Sequence, residues 1–286
     1  MSLAHTPQAF ASAQPPAWRD SRIDVGLPAK LGVRLYGLRD GPGAALVIHF
    51  HGGAFVSGTL DSGIATARLL VAAGAVVLSV DYPLASAEPF PAAVEAGYAA
   101  LSWAFRARTR LAGTRARLFV AGEEAGGNLA AASALIARDR GAPPLAGQIL
   151  LSPMLDPCLG TASLRRNRAG AAGCPLAEGW CTYLREPAAA EHPYAAPGRS
   201  VRLAGLPPAL LVTANDDPLQ DEARAYAARL RAAGVPAAEC VLAAPTGWPG
   251  ALGIPAGEDA PWSEPVRRAM REFLAAGATP AACDRA

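Results

Sequence analysis

The stretch VAGEEAGGNLA, residues 120–130, decides the fold of this chain. An apolar run ends within it, the chain turns between small residues, and an alanine-rich helix follows. Gly122 and Gly126 are the residues that a strained strand-to-helix turn needs, because larger side chains there would collide with their neighbours. Glu124 lies in the middle of the turn. It is predicted to project above the sheet, where a carboxylate also gains from the dipole of the helix.

Outside this turn, apolar runs alternate with longer alanine-rich segments. The inner runs show no polar alternation, as in ALVI at residues 45–48. Strands buried on both faces have this composition, so the pattern predicts an α/β fold with a mostly parallel sheet and helices on both faces. The predicted strands span residues 32–38, 45–49, 75–81, 117–121, 147–152, 209–214 and 239–243. The predicted helices span residues 61–73, 91–107, 126–138, 219–233 and 262–275.

The domain organisation follows from the same series. No linker interrupts it, so residues 1–286 are predicted to form one domain. The least regular region, about residues 153–202, is rich in Pro, Gly and Ala. It is predicted to form a small cap inserted above the carboxyl edge of the sheet, with one helix over residues 177–185.

Composition limits the partners and the compartment. Hydrophobic residues make up 51% of the chain and the formal net charge is +2, which predicts a sizeable core and neither a nucleic-acid nor a membrane partner. Five cysteines are scattered without a CxxC pair, a pattern typical of reduced thiols in a cytoplasmic protein. Because no metal-ligand spacing and no glycine-rich nucleotide loop is present, we predict no metal and no cofactor.

Three more polar segments follow predicted strands: HGGAF at 51–55, NDDPLQDE at 215–222 and APTGW at 244–248. Paired glycines after a strand usually form only a tight turn, but they also let backbone N–H groups converge on a negative oxygen. Acidic residues before a helix most often act only as caps.

Together, these segments resemble the hormone-sensitive-lipase-like family of α/β-hydrolase esterases. Residues 51–54 match the family's HGGG motif, 122–130 match GDSAGGNLA, and 217–222 match DPLxDE. The resemblance spans about residues 24–275 and implies an α/β-hydrolase fold. It also implies an oxyanion hole formed by Gly52, Gly53 and Ala125, with Asp217 at the position of the triad acid.

Two family residues are replaced. Glu124 stands where the family has its serine nucleophile, after Glu123 in place of an aspartate, and Thr246 stands where the family has its histidine. The chain's histidines are at positions 5, 49, 51 and 192, so none follows Asp217. Acyl transfer through serine needs a nucleophile and a base to take its proton. The sequence therefore predicts that this chain is not a conventional esterase.

Three hypotheses follow. The first is a non-hydrolytic enzyme of lyase, cyclase or isomerase type that acts on a small carbonyl compound, with Glu124 and Asp217 as acid and base. Two neighbouring half-buried carboxyls do not ionise equally, which would keep one protonated. The alternative is a catalytically inactive pseudo-esterase that binds a small apolar ligand. A structural role is the third hypothesis, in which the chain forms a homodimer through the edge strand at residues 239–243 and acts as an inert partner subunit. The remaining predicted pocket residues are His51, Phe55, Glu123, Met154, Trp180, Tyr183, Thr246 and Trp248.

Overall fold

A single sheet of eight strands lies at the centre of the computed structural model, which describes residues 18–37, 45–167, 169, 173–254 and 260–276. The strands are β1 (Trp18–Ile23), β2 (Leu31–Tyr36), β3 (Ala45–Phe50), β4 (Ala75–Asp81), β5 (Arg117–Glu123), β6 (Gly147–Leu151), β7 (Ala209–Ala214) and β8 (Ala237–Leu242). Their order across the sheet is β1-β2-β4-β3-β5-β6-β7-β8. The pairs β1–β2 and β2–β4 are antiparallel, whereas every pair from β4 to β8 is parallel.

Helices cover both faces of this sheet. They are α1 (Ile64–Ala72), α2 (Ala92–Ala112), α3 (Ala125–Asp139), α4 (Ala162–Arg166), α5 (Pro175–Leu184), α6 (Gln220–Ala232) and α7 (Ser263–Ala276). In β3, Leu46 and Ile48 join the core under α2 and α3, while Val47 joins the core under α1 and α7. Because both faces of the inner strands are buried, an uninterrupted apolar run is what they require. The predicted α/β-hydrolase fold is confirmed.

The edge strand β1 was not predicted from the sequence. Five of its six residues are exposed, and within the described sheet it pairs with β2 alone. Arg34 of β2 holds it through an ion pair with Asp20, at 2.6 Å. A strand that buries almost no apolar side chain lacks the periodicity on which a sequence prediction depends.

The segment between β6 and β7 contains α4, α5 and two short 3-10 helices, Pro187–Glu191 and Pro197–Arg199. This is the region that the sequence predicts to be a cap. At the opposite edge from β1, β8 has no strand beyond it in the described sheet, and the homodimer stays a prediction. None of the described helices is long and apolar enough to cross a bilayer.

Candidate active site

The turn between β5 and α3 presents Glu124 at the carboxyl edge of the sheet. Its backbone is at φ 54° and ψ −115°, a conformation that L-residues seldom adopt. The backbone around it is packed tightly: a Cβ on Gly122 would lie 2.2 Å from the Gly126 oxygen, and one on Gly126 only 2.0 Å from the Phe50 oxygen. Glycine is required at both positions because backbone fills the space where a side chain would start.

The loop after β3 turns its N–H groups towards Glu124. Gly53, Ala54 and Phe55 all have positive φ, at 113°, 48° and 66°. The Ala54 N–H donates to Glu124 Oε1 at 2.6 Å, and the Gly53 N–H also interacts with this carboxylate. The loop therefore already binds an oxygen that carries negative charge, which is what an oxyanion hole does.

A buried chain of hydrogen bonds holds this loop in place. The Gly52 N–H donates to Glu123 Oε1 at 3.1 Å, and Glu123 Oε2 lies 2.8 Å from His49 Nε2. His49 Nδ1 is in turn 2.9 Å from the Ser79 hydroxyl. Glu123 is thus a positioning residue. His49 and Ser79 were missed by the sequence analysis, since only the pairing of β3 with β4 places them side by side.

The surroundings of Glu124 favour its protonated, neutral form more than water does. Burial raises the pKa of the Glu124 carboxyl, more than the N–H groups of Ala54 and Gly53 lower it. The negative charges of Glu123 and Asp217 raise this pKa further. A carboxyl with a raised pKa is a stronger base when ionised, and it is a proton donor nearer to neutral pH when protonated.

Asp217 and Thr246 do not complete a triad around Glu124. Asp217 is fully buried and accepts hydrogen bonds from the Ser152 hydroxyl and, at 2.8 Å, from the Leu219 N–H. Burial raises its pKa to about 6. Thr246 is bonded to the neighbouring Asp216, with its N–H and hydroxyl at 2.6 and 2.7 Å. In the described part of the chain, no hydrogen bond joins Asp217 to Glu124.

A cavity of about 220 Å³ opens beside Glu124. On one side it is lined by Gly52, Gly53, Glu123 and Glu124, four of the predicted site residues. On the other side lie residues that the sequence analysis did not identify: Ser57, Gly58, Ser62, Pro249, Gly250, Leu252 and Gly253. These belong to loops and to the short 3-10 helix Gly250–Gly253, none of which has a distinctive sequence pattern. Only the fold brings them to the turn.

Other predicted pocket residues are buried and do not line this cavity. Phe55 stacks on Tyr183 with ring centroids 3.9 Å apart and lies 5.1 Å from Trp180. Trp248 packs edge-on against Trp262. Two more predicted pocket residues, His51 and Met154, are also buried. His51 stacks on Tyr82 at 4.4 Å, and burial lowers the pKa of its imidazole.

Known proteins with similar sequences and structures include esterases of the α/β-hydrolase fold. A sequence model for a family with the α/β-hydrolase fold matches residues 47–244. The chain is 38% identical over 233 residues to the esterase LipI of Mycobacterium tuberculosis, covering 76% of this chain and 70% of LipI. It is 38% identical over 203 residues to the carboxylesterase NlhH of the same species, covering 66% of this chain but only 61% of NlhH. The crystal structure of the carboxylesterase EstE1, cloned from a metagenomic library, superposes with a TM-score of 0.78 at 33% identity, over 92% of this chain and 91% of EstE1.

These matches contradict the function predicted from the sequence. Relatives that share 38% of their aligned residues with this chain are named esterases, and so is the superposed structure. The prediction of a non-hydrolytic lyase, cyclase or isomerase is therefore wrong, and so is the alternative of an inactive ligand-binding pseudo-esterase. The matches point instead to ester hydrolysis.

Proposed function

Because the chain belongs to the hormone-sensitive-lipase-like family of α/β hydrolases, we propose that it hydrolyses small carboxylic esters in the cavity beside Glu124. One observation carries the proposal: the Ala54 N–H already binds a carboxylate oxygen at 2.6 Å. The same donor, with the Gly53 N–H, would bind the carbonyl oxygen of an ester and stabilise the negative charge that develops there during attack. The ester carbonyl takes the place that the Glu124 oxygen occupies in the free protein.

Glu124 is proposed as the base of this reaction. Once displaced from the loop, its carboxylate removes a proton from a water molecule as that water attacks the ester carbonyl. The resulting tetrahedral intermediate carries its negative oxygen at the Gly53 and Ala54 N–H groups. Protonated Glu124 then gives its proton to the departing alkoxide, so an acid and an alcohol are released and the carboxylate is regenerated. A raised pKa suits both steps, because the group must take up and return one proton.

The remaining predicted residues act on Glu124 and the loop. Ala125 is the first residue of α3, and its N–H has no acceptor within that helix, so it is a third donor for the oxyanion. Asp217 acts at a distance, through the negative charge that raises the pKa of Glu124. Glu123 holds the Gly52 N–H and thereby keeps the loop facing the cavity.

The test is the hydrolysis of p-nitrophenyl acetate and butyrate by the wild type and Glu124→Gln, which keeps the size of the side chain but cannot act as a base. We expect Glu124→Gln to lower kcat/KM by about 100-fold or more, the usual contribution of a general base. Glu264→Gln is the matched control, since Glu264 lies in α7 and is more than half exposed. Its rate should equal that of the wild type.

Two further outcomes separate the parts of the proposal. Wild-type hydrolysis no faster than buffer would overturn the proposed ester hydrolysis. A Glu124→Gln variant as fast as an active wild type would show that Glu124 is not the base. The double variant Glu124→Ser/Thr246→His restores the family's residue types at both positions. If it hydrolyses these esters while the wild type does not, the cavity accepts esters, but the wild type is not an esterase and the proposed function is wrong.

A further inference from the structure

A second and larger cavity lies on the outer side of α2, away from Glu124. It encloses about 590 Å³ and none of the residues of the Glu124 cavity lines it. Its floor is formed by α2 and the end of α3, and residues 192–194 and 25–27 border it. A volume of this size is in the range of sites that hold small organic ligands.

About half of the wall of this cavity is apolar. Val94 and Ile136 are buried in its floor, and Val25, Leu27 and Phe90 pack against the core at its sides. The Phe90 ring lies 5.1 Å from that of His192, which in turn contacts the Tyr194 ring at 5.1 Å. Such a wall suits a hydrocarbon or aromatic body.

Among the residues that line this cavity, positive charges outnumber negative ones. Arg106 and Arg140 both line it, and the Arg140 guanidinium lies 4.5 Å from the centre of the Tyr98 ring. No carboxylate in the described ranges forms an ion pair with either arginine. Glu95 is the one acidic side chain among the lining residues. It precedes Arg106 by eleven positions and Tyr98 by three, which are about 16 Å and about 4.5 Å along the axis of α2.

We propose that this cavity binds an apolar monocarboxylate, with its hydrocarbon body against Val94, Ile136 and Phe90 and its carboxylate at Arg140, while Arg106 adds to the positive charge of the cavity. The two guanidinium groups have no acidic partner among the described residues and therefore favour an anion, and arginine binds carboxylates through paired N–H donors. The single charge of Glu95 leaves an excess of positive charge at the cavity. This site does not depend on the reaction proposed for Glu124.

Isothermal titration calorimetry with octanoate, octan-1-ol and octylammonium tests the site, because the three probes share a chain and differ in charge. We expect octanoate to bind with the highest affinity. The variant Arg106→Gln/Arg140→Gln should bind octanoate about tenfold more weakly, the loss expected for partly exposed charge pairs. Arg110→Gln is the matched control, since Arg110 is an exposed arginine of the same helix that does not line the cavity.

Two more variants locate the ligand. Ala99→Phe adds a ring on the cavity side of α2 and should abolish octanoate binding, with circular dichroism to show that the variant is folded. Glu124→Gln should leave octanoate binding unchanged. The proposal is overturned if octan-1-ol binds as tightly as octanoate or if octanoate does not bind at about 1 mM. Binding that survives Ala99→Phe, or that is weakened by Glu124→Gln, would also place the ligand elsewhere and overturn it.

Discussion

Replacing Glu124 by glycine and by alanine measures the strain in the turn between β5 and α3. Both variants lack the carboxylate, so the free energies of its burial and of its hydrogen bond to Ala54 cancel when the stabilities of the two variants are compared. At φ 54° and ψ −115° a residue with a Cβ is strained, at a cost of about 1–3 kcal/mol. Glycine relieves this strain but loses about 0.5–1 kcal/mol through the extra freedom of the unfolded chain. We therefore expect Glu124→Gly to be more stable than Glu124→Ala by about 1 kcal/mol.

Urea unfolding followed by circular dichroism gives the free energy of unfolding of each variant. The matched pair is Glu272→Gly and Glu272→Ala, at an exposed position inside α7. There the order should reverse, with glycine less stable by about 1 kcal/mol, because it is a poor helix former. If Glu124→Gly is no more stable than Glu124→Ala while the α7 pair behaves as expected, the turn stores no strain and the reasoning fails.

Three further changes test the packing and charges around the site by urea unfolding. Because burial raises the pKa of Asp217 from 3.8 to about 6, the wild type should lose about 3 kcal/mol more than Asp217→Asn as the pH rises through this window, since the raised pKa values of Glu124 and Glu222 act in both proteins. Gly126→Ala should cost about 3 kcal/mol or more, since its Cβ would meet backbone, whereas Gly250→Ala, with open space around it, should stay within about 0.5 kcal/mol of the wild type. Ser79→Ala should cost about 1–3 kcal/mol by leaving a buried imidazole nitrogen unpaired, while Ser133→Ala, whose buried hydroxyl has no partner among the described residues, should not be destabilising. If the free energy of unfolding of the wild type falls no further with rising pH than that of Asp217→Asn, the burial of Asp217 does not destabilise its charged form. If Gly250→Ala or Ser133→Ala loses as much stability as its test variant, the corresponding packing or hydrogen-bond effect is absent.

The inner part of the fold could be read from the sequence because burial on both faces leaves a local signal. The strand predicted at 45–49 is β3 at Ala45–Phe50, and the strand predicted at 75–81 is β4 with the same bounds. β1 left no such signal, because five of its six residues are exposed and it depends on Arg34 of the next strand. Periodicity reports burial, so it cannot detect a strand that is held by ion pairs and backbone bonds.

The functional prediction failed for a different reason. The replacement of the family's serine by Glu124 is visible in one sequence. The prediction assumed that loss of the serine and the histidine means loss of ester hydrolysis. Comparison with relatives named esterases points to hydrolysis instead. The structure adds that the loop N–H groups still bind a carboxylate oxygen, a contact between residues 70 positions apart.

By itself, the sequence determined the family, the mostly parallel sheet and the tight turn that carries Glu124. These depend on properties that repeat locally: apolar runs, and glycines where backbone packs against backbone. Only the tertiary structure decided which groups meet. It places the Glu124 carboxylate on the Ala54 N–H, pairs Asp217 with Ser152, and ties Thr246 to Asp216. Such pairings join groups that are 30 to 70 positions apart in the sequence. Hydrogen bonds depend on distances of a few tenths of an ångström, which no local pattern encodes.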